Sequence, residues 1–205
     1  VLEFARKQKH LKLMNYFSTD ETNGSSDHKE IFDENAPHRP SNPYSAGKAG
    51  GEDYCYAYFK TYGVPVFITK TMNILGKNQN REKYVPTVIR CVLNGETLPV
   101  YSNKEKTKAG SRFWISAYDA ADAITFLLQQ ATAGERYNIV GTEMDNLDLA
   151  QMIAHIIGKP LLYEMHDFHS SRPGHDLMYR MTGEKMASMG WTLKRGIEEE
   201  LRQII

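Results

Sequence analysis

A helix-length segment opened by Pro43 and closed by Gly63, followed at once by the β-rich run Pro65 to Thr71, most restricts how this chain can fold. Proline suits the first turn of a helix, where its missing N–H costs nothing, and glycine suits the left-handed residue that ends one. Upstream, Leu11 to Phe17 reads as a buried strand that runs into Ser18-Thr19-Asp20-Glu21. Between strand and helix, Thr22 to Pro43 is polar and rich in Asn, Asp, Ser, Pro and Gly, the composition of a long surface loop. Strand, loop, helix, strand in that order predicts an α/β protein with a parallel sheet.

The flanks add elements of the same kind. Residues about 1–9, with Leu2 and Ala5 turned inward, read as part of an amphipathic helix. A chain that starts inside a helix, with neither an initiator Met nor a signal-peptide layout, reads as a fragment or as a chain seen in part. Downstream, Tyr84 to Leu93 predicts a short helix, Leu98 to Tyr101 a brief strand, and Asn103 to Gly110 a Lys-rich loop without fixed order. Asp119 is placed to N-cap a helix through Gln130, and Asp122 adds a weak box-like signal. Arg136 to Val140 reads as a strand. Leu147, Ala150, Ile153, Ala154 and Ile157 mark one face of a helix that stops at Gly158, and Arg195 to Ile205 reads as helical.

Charge narrows the classes of partner. Twenty-five basic and 25 acidic side chains cancel in the 205 residues. No net field draws in nucleic acid or an anionic membrane, and neither is an expected partner. No apolar run approaches the ~20 residues that span a bilayer. Cys55 and Cys91 are too far apart for metal spacing; one disulfide is open, and a reducing cytoplasm is the better reading.

Chemistry is suggested at two places. Tyr44 and Lys48 stand four residues apart on the predicted helix, which puts phenol and ammonium on one face, one turn apart. A neighbouring ammonium favours phenolate, so the expectation is a lowered tyrosine pKa and a usable base. The plain alternative is a solvated helix face. Thr19, Asp20 and Glu21 stand at the end of the preceding strand, where ligands gather in open α/β sheets. A hydroxyl there can hold a substrate oxygen, and two carboxyl groups can divide into acid and base. The plain alternative is a capped turn.

The combination of Thr-Asp-Glu, long loop and Pro-Tyr-Ser-Ala-x-Lys-Ala resembles the extended short-chain dehydrogenases, and among them the dTDP-glucose and UDP-glucose 4,6-dehydratases. The likeness continues in order through Tyr58 to Gly63, Thr71-x-Asn73, Glu82-Lys83-x-x-Pro86 and Arg112-x-Trp114. It ends with Tyr137-Asn138-Ile139, Arg172-Pro173-Gly174-His175-Asp176 and Gly190-Trp191. The acidic pair marks the dehydratase branch, since epimerases and decarboxylases of this fold usually lack it.

The resemblance implies a fold: the C-terminal part of a Rossmann-like parallel sheet plus a smaller mixed α/β substrate-binding domain. Residues 1–72 would carry the catalytic half. Residues 73–205 would bind mainly the nucleotide sugar, with about 113–140 returning to the Rossmann layer. It implies bound NAD as cofactor, contacted by Tyr44 and Lys48, and a nucleoside-diphosphate sugar as substrate. Tyr44, aided by Lys48 and Thr19, would take the sugar 4-hydroxyl proton. Glu21 would remove the C5 proton while Asp20 protonates the departing 6-hydroxyl. Arg112 and Arg172 match diphosphate contacts, a guanidinium fork fitting phosphate oxygens well. Asn73, Lys83, Asn138 and His175 match the substrate pocket. No metal is expected, despite His166, His169 and His175 beside Asp167 and Asp176. A homodimer through helices near 1–9 and 43–62 is also implied.

The sequence departs from the family in two ways. No Gly-x-x-Gly-x-x-Gly turn follows a strand in these residues, and Gly47, Gly50 and Gly51 lie inside the tyrosine helix instead. The expectation is therefore that these residues alone neither bind NAD well nor turn over, and that one edge and one face of the sheet are left uncovered. Thr22-Asn23-Gly24 also replaces the family's usual Val-Tyr-Gly-like segment. An epimerase or decarboxylase, and a non-catalytic nucleotide-sugar-binding or structural relative, remain the alternatives.

Overall fold

The computed structural model describes residues 1–26, 30–167 and 178–205. The chain divides into two compact units. The first comprises Val1–Met72, Ala120–Val140 and Arg180–Thr192; the second comprises Asn73–Asp119, Gly141–Tyr179 and Leu193–Ile205.

The first unit is built on a parallel sheet of β1 (Met14–Thr19), β2 (Val66–Thr71) and β6 (Arg136–Ile139), in the order β1-β2-β6. Ser18 pairs in register with Lys70, and Lys70 with Asn138. Every residue of β2 is buried, so this central parallel strand is covered on both faces, against the expectation of an uncovered face. β1 is an edge strand among the described residues, and its Phe17 is exposed.

Helix α2 (Pro43–Tyr62) has the predicted bounds, and its ends show why. Asn42 and Ser45 form a reciprocal capping box, Pro43 sits in the first turn, and Gly63 takes a left-handed φ of 67°. Its buried positions are Ser45, Ala49, Glu52 and Cys55, an inward stripe of small or polar residues. Cys55 packs with Ala5 of α1 (Leu2–Arg6) and with Val64, Val66 and Ile68. Helix α4 (Ala117–Gln130) begins in the second unit and crosses into the first, where Ala123 and Leu127 are fully buried. The short α6 (Glu184–Ser188) packs on β6 and buries Met186.

The second unit holds β3 (Asn73–Leu75), β5 (Ser111–Ser116) and β7 (Thr142–Asp145), with β3 parallel and β7 antiparallel to β5. A separate pair, β4 (Leu98–Ser102) and β8 (Tyr163–Asp167), is parallel. Its core joins Val85, Val88 and Val92 of α3 (Tyr84–Asn94) to Leu149, Ala150 and Ile153 of α5 (Asn146–Ile157). Leu201 of α7 (Ile197–Ile204) completes it. Fully burying each such branched side chain contributes about 1.5–3 kcal/mol.

Three local expectations are corrected. Helix α4 starts two residues before Asp119: the Ser116 hydroxyl accepts the Asp119 N–H at 2.9 Å and does the capping. The Asp119 carboxylate instead accepts the backbone N–H groups of Lys194 and Arg195. Asp122 makes no box either, because it accepts the Trp191 indole N–H at 2.9 Å. The Lys-rich loop closes as a defined turn, since the Asn103 carboxamide oxygen accepts the N–H groups of Thr107 and Lys108 at 2.9 Å each. Both cysteines are free and buried, and burial pushes the Cys55 thiol up to about 11. No helix among the described residues is long and apolar enough to cross a membrane.

Candidate functional site

At the end of β1 the chain turns into a short 3-10 helix, Asp20–Asn23, with Thr19 as its N-cap. The Thr19 hydroxyl accepts the Glu21 N–H and donates to the Asp20 carboxylate at 3.0 Å. Asn23, buried inside this turn, donates to the carbonyls of Ala36 and Pro37 and so ties it to the long loop. Gly24 needs its φ of +79°, and a Cβ there would stand 2.3 Å from the Arg39 carbonyl oxygen. These contacts hold the acidic pair in place beneath the start of α2. Asn42 connects the two directly: its carboxamide accepts Ser45 N–H and donates to Glu21 Oε2 at 3.0 Å.

Tyr44 stands in the first turn of α2, with 58% of its surface exposed and the Thr19 hydroxyl beside its own. Partial burial, reinforced by the Glu21 and Asp20 carboxylates, raises its pKa above 10.0, and the Thr19 contact opposes the rise. This corrects the expected lowering by Lys48. The Lys48 ammonium donates to the Phe17 carbonyl and lies 4.8 Å from the centre of the Tyr16 ring. It is committed to β1 in this conformation, and the two carboxylates set the field at the phenol.

Beneath this pair lies a polar cluster that the sequence reading missed. Glu52, one turn beyond Lys48, is completely buried and accepts from Ser18 Oγ at 2.6 Å and His38 Nε2 at 3.0 Å. Arg136 Nε approaches its carboxylate to 3.1 Å and Lys70 Nζ to 3.6 Å. Burial alone would raise the Glu52 carboxyl, but Lys70, Ser18 and His38 outweigh it and leave it below its ordinary value. Two signals were available: an acid on the inward stripe of α2, and a lysine inside the otherwise uncharged run Val66–Thr71.

The remaining expected residues are distributed. Asn138 is fully buried in the first unit, where it donates to the carbonyls of Phe32 and Thr182 and its backbone N–H meets Glu34 at 3.0 Å. Asn73, Lys83 and Arg112 belong to the second unit, on β3, at the N-cap of α3 and on β5. Asn73 donates to the Phe113 carbonyl, and the Arg112 guanidinium lies 5.1 Å from the centre of the Tyr179 ring. Arg172 and His175 lie outside the described residues. Among the described residues, no three His, Cys, Asp or Glu are grouped to hold a metal ion.

Comparison with known proteins places this arrangement. Residues 1–140 match the NAD dependent epimerase/dehydratase family. The chain belongs to that family. A dTDP-glucose 4,6-dehydratase of Haemophilus influenzae is 34% identical over 202 residues, which cover 93% of this family member and 59% of the relative. The low-salt glycan biosynthesis protein Agl12 of Haloferax volcanii is 35% identical over 189 residues, 92% of this chain and 59% of its own. Among solved structures, the dTDP-glucose 4,6-dehydratase of Bacillus anthracis in complex with NAD matches with a TM-score of 0.86 and 33% identity. That match covers 99% of this chain and 63% of the other. A UDP-glucose 4-epimerase of Thermus thermophilus, at 24% identity and a TM-score of 0.89, has the same fold. This family member thus spans less than two thirds of the length of these relatives.

Proposed function

We propose that this chain carries the catalytic and sugar-binding part of a nucleotide-sugar 4,6-dehydratase, which converts dTDP- or UDP-glucose to the 4-keto-6-deoxy sugar with bound NAD. The observation that carries this reading is the meeting of Tyr44 with Thr19 and the Asp20–Glu21 pair at the carboxyl end of β1. Relatives named dTDP-glucose 4,6-dehydratase at 33–34% identity support it.

The residues present fit one end of a dinucleotide. Tyr44 and Lys48 offer a phenol and an ammonium on one helix face, and the surface beside Gly47 and Gly50 is open, with nothing within 4 Å of where a Cβ would stand. The phosphate-cradling glycine turn is not among these residues. Bound NAD would supply reversible hydride acceptance between C4 and C6, and Tyr44 and Lys48 are the residues that would hold its reactive end.

The chain's own groups move the protons. Lys48 leaves the Phe17 carbonyl and turns toward Tyr44, which stabilises phenolate beside Glu21, and Asp20 takes up a proton from solvent before the elimination. Tyr44 then takes the 4-hydroxyl proton, with the Thr19 hydroxyl holding the same oxygen. The resulting ketone acidifies the C5 hydrogen, so that Glu21 removes it while Asp20 gives a proton to the departing 6-hydroxyl. The C5 proton returns last. The net change is loss of one water. Arg112 and Arg172 are assigned to the diphosphate, and Asn73, Lys83, Asn138 and His175 to the substrate pocket. Homodimerisation through α1 and α2 is part of the proposal. Phe4, Tyr54 and Tyr62 expose 69%, 66% and 54% of their surface on these helices.

The test is product analysis of the purified protein with NAD and dTDP- or UDP-glucose in deuterated water. A dehydratase gives a product lighter by one water, with deuterium at C5, because the C5 proton exchanges through Glu21. Epimerisation at C4 leaves mass and C5 hydrogen unchanged, and that outcome would replace the proposal with the epimerase reading. No conversion by protein shown to hold NAD would favour a binding or structural role.

A further inference from the structure

We propose that Glu52 is the positioning residue of the Tyr44–Lys48 pair, a buried carboxylate that ties the reactive face of α2 to the end of the parallel sheet. This rests on the assignment of Tyr44 and Lys48 as the reactive pair. Tyr44, Lys48 and Glu52 follow at four-residue intervals and so lie along one stripe of α2, with about 12 Å between first and last.

The partners of Glu52 come from all three strands of the parallel sheet and from the loop before α2. Ser18 belongs to β1, Lys70 to β2, Arg136 to β6 and His38 to the loop before α2. Lys70 extends the connection, donating at 2.9 Å to Asn23 Oδ1 in the turn that carries Asp20 and Glu21. Ser18, at the Glu52 carboxylate, immediately precedes Thr19. One side chain therefore fixes both partners of the reactive encounter, the helix that presents Tyr44 and the strand end that presents Thr19.

Packing alone does not account for this choice. Neither Glu52 nor Lys70 has exposed surface, and burying charges costs more than filling the same space with apolar atoms. An apolar side chain would hold α2 on the sheet but leave it free to slide along the strands. Hydrogen bonds from Ser18 and His38, together with the charges of Lys70 and Arg136 at 3.6 and 3.1 Å, oppose that sliding.

The test compares the purified protein with Glu52→Gln, which keeps the shape and removes the charge, and with Glu52→Gln/Lys70→Met, which also removes the ammonium that has lost its carboxylate. Tyr44 ionisation is followed by ultraviolet difference titration against a Tyr44→Phe version of each protein. Backbone hydrogen exchange is followed at residues 42–46. Positioning by Glu52 moves the Tyr44 titration down toward that of an ordinary tyrosine in both variants, as the phenol leaves the acidic pair. It also speeds exchange at residues 42–46 about tenfold, even where the double variant recovers the parent melting temperature. A merely structural Glu52 lowers the melting temperature of the single variant and leaves both readouts unchanged in the folded protein, which overturns the proposal. If neither variant folds, Glu52→Asp, which retracts the charge by one methylene, is read in the same two ways. Neither readout needs turnover, so failure of the dehydratase assignment is distinguishable from failure of this one.

Discussion

The Tyr16 hydroxyl occupies the space that a side chain on Gly51 would need: a Cβ there would stand 2.0 Å from it. The same hydroxyl donates to the Lys48 carbonyl at 3.3 Å, and the same ring lies beneath the Lys48 ammonium. Gly51→Ala must therefore displace the ring that holds Lys48, at about 1–3 kcal/mol of stability. Gly47 has nothing within 4 Å of a Cβ, and Gly47→Ala is expected to stabilise α2 by about 0.5–1 kcal/mol. Urea unfolding of the two variants checks the opposite signs.

Asn42 serves two masters, the start of α2 and Glu21. Asn42→Ala is expected to cost about 1 kcal/mol through loss of the cap. Asn42→Asp keeps the cap but sets a second carboxylate against Glu21. It should retain stability while raising the Tyr44 ionisation further, as a spectroscopic titration would show.

Tyr44 is exposed enough that Tyr44→Phe should fold normally. If the phenol is the base, turnover of the NAD-loaded protein drops by about 10²–10⁴-fold. Glu21→Gln removes one of the charges that raise the phenol, so the Tyr44 ionisation should move down toward 10.0 in that variant. An unmoved titration curve would contradict the geometry.

Asp119 is buried and receives two backbone N–H groups from the segment that leads into α7. Asp119→Ala leaves both donors without their acceptor, and a loss of about 1–3 kcal/mol is expected. Asp119→Asn keeps one acceptor oxygen and should lose less. Denaturant midpoints with unchanged slopes are the measurement.

Glu52 makes stability depend on acid. Its folded-state pKa lies below the ordinary 4.5, so the unfolded chain binds its proton first as pH falls. The stabilisation is complete above about 4.5 and is lost as pH falls through the folded value. Glu52→Gln should flatten the acid limb of a stability–pH profile.

Much of the architecture was legible because its signals are local. Pro43, Asn42 and Gly63 bound α2 through their own backbone chemistry, and Asp145 and Gly158 do the same for α5. Strands β3, β5, β7 and β8 were missed; Asn73–Leu75 is only three residues long and Thr142–Asp145 is polar, so only pairing with β5 makes those two strands. Asp119 misled as a cap because its side chain is drawn to backbone groups 75 and 76 residues away.

The sequence by itself determined the α/β class, the bounds of α2 and the spacing of Tyr44 from Lys48, since caps and helical periodicity act within a few residues. Only the tertiary structure decided what those groups face. Lys48 turns to Phe17, Tyr44 meets two carboxylates, and Glu52 collects Ser18, His38, Lys70 and Arg136. These contacts join positions far apart in the chain through the register of three strands, and register is set by the burial of both sheet faces together, which no single segment encodes.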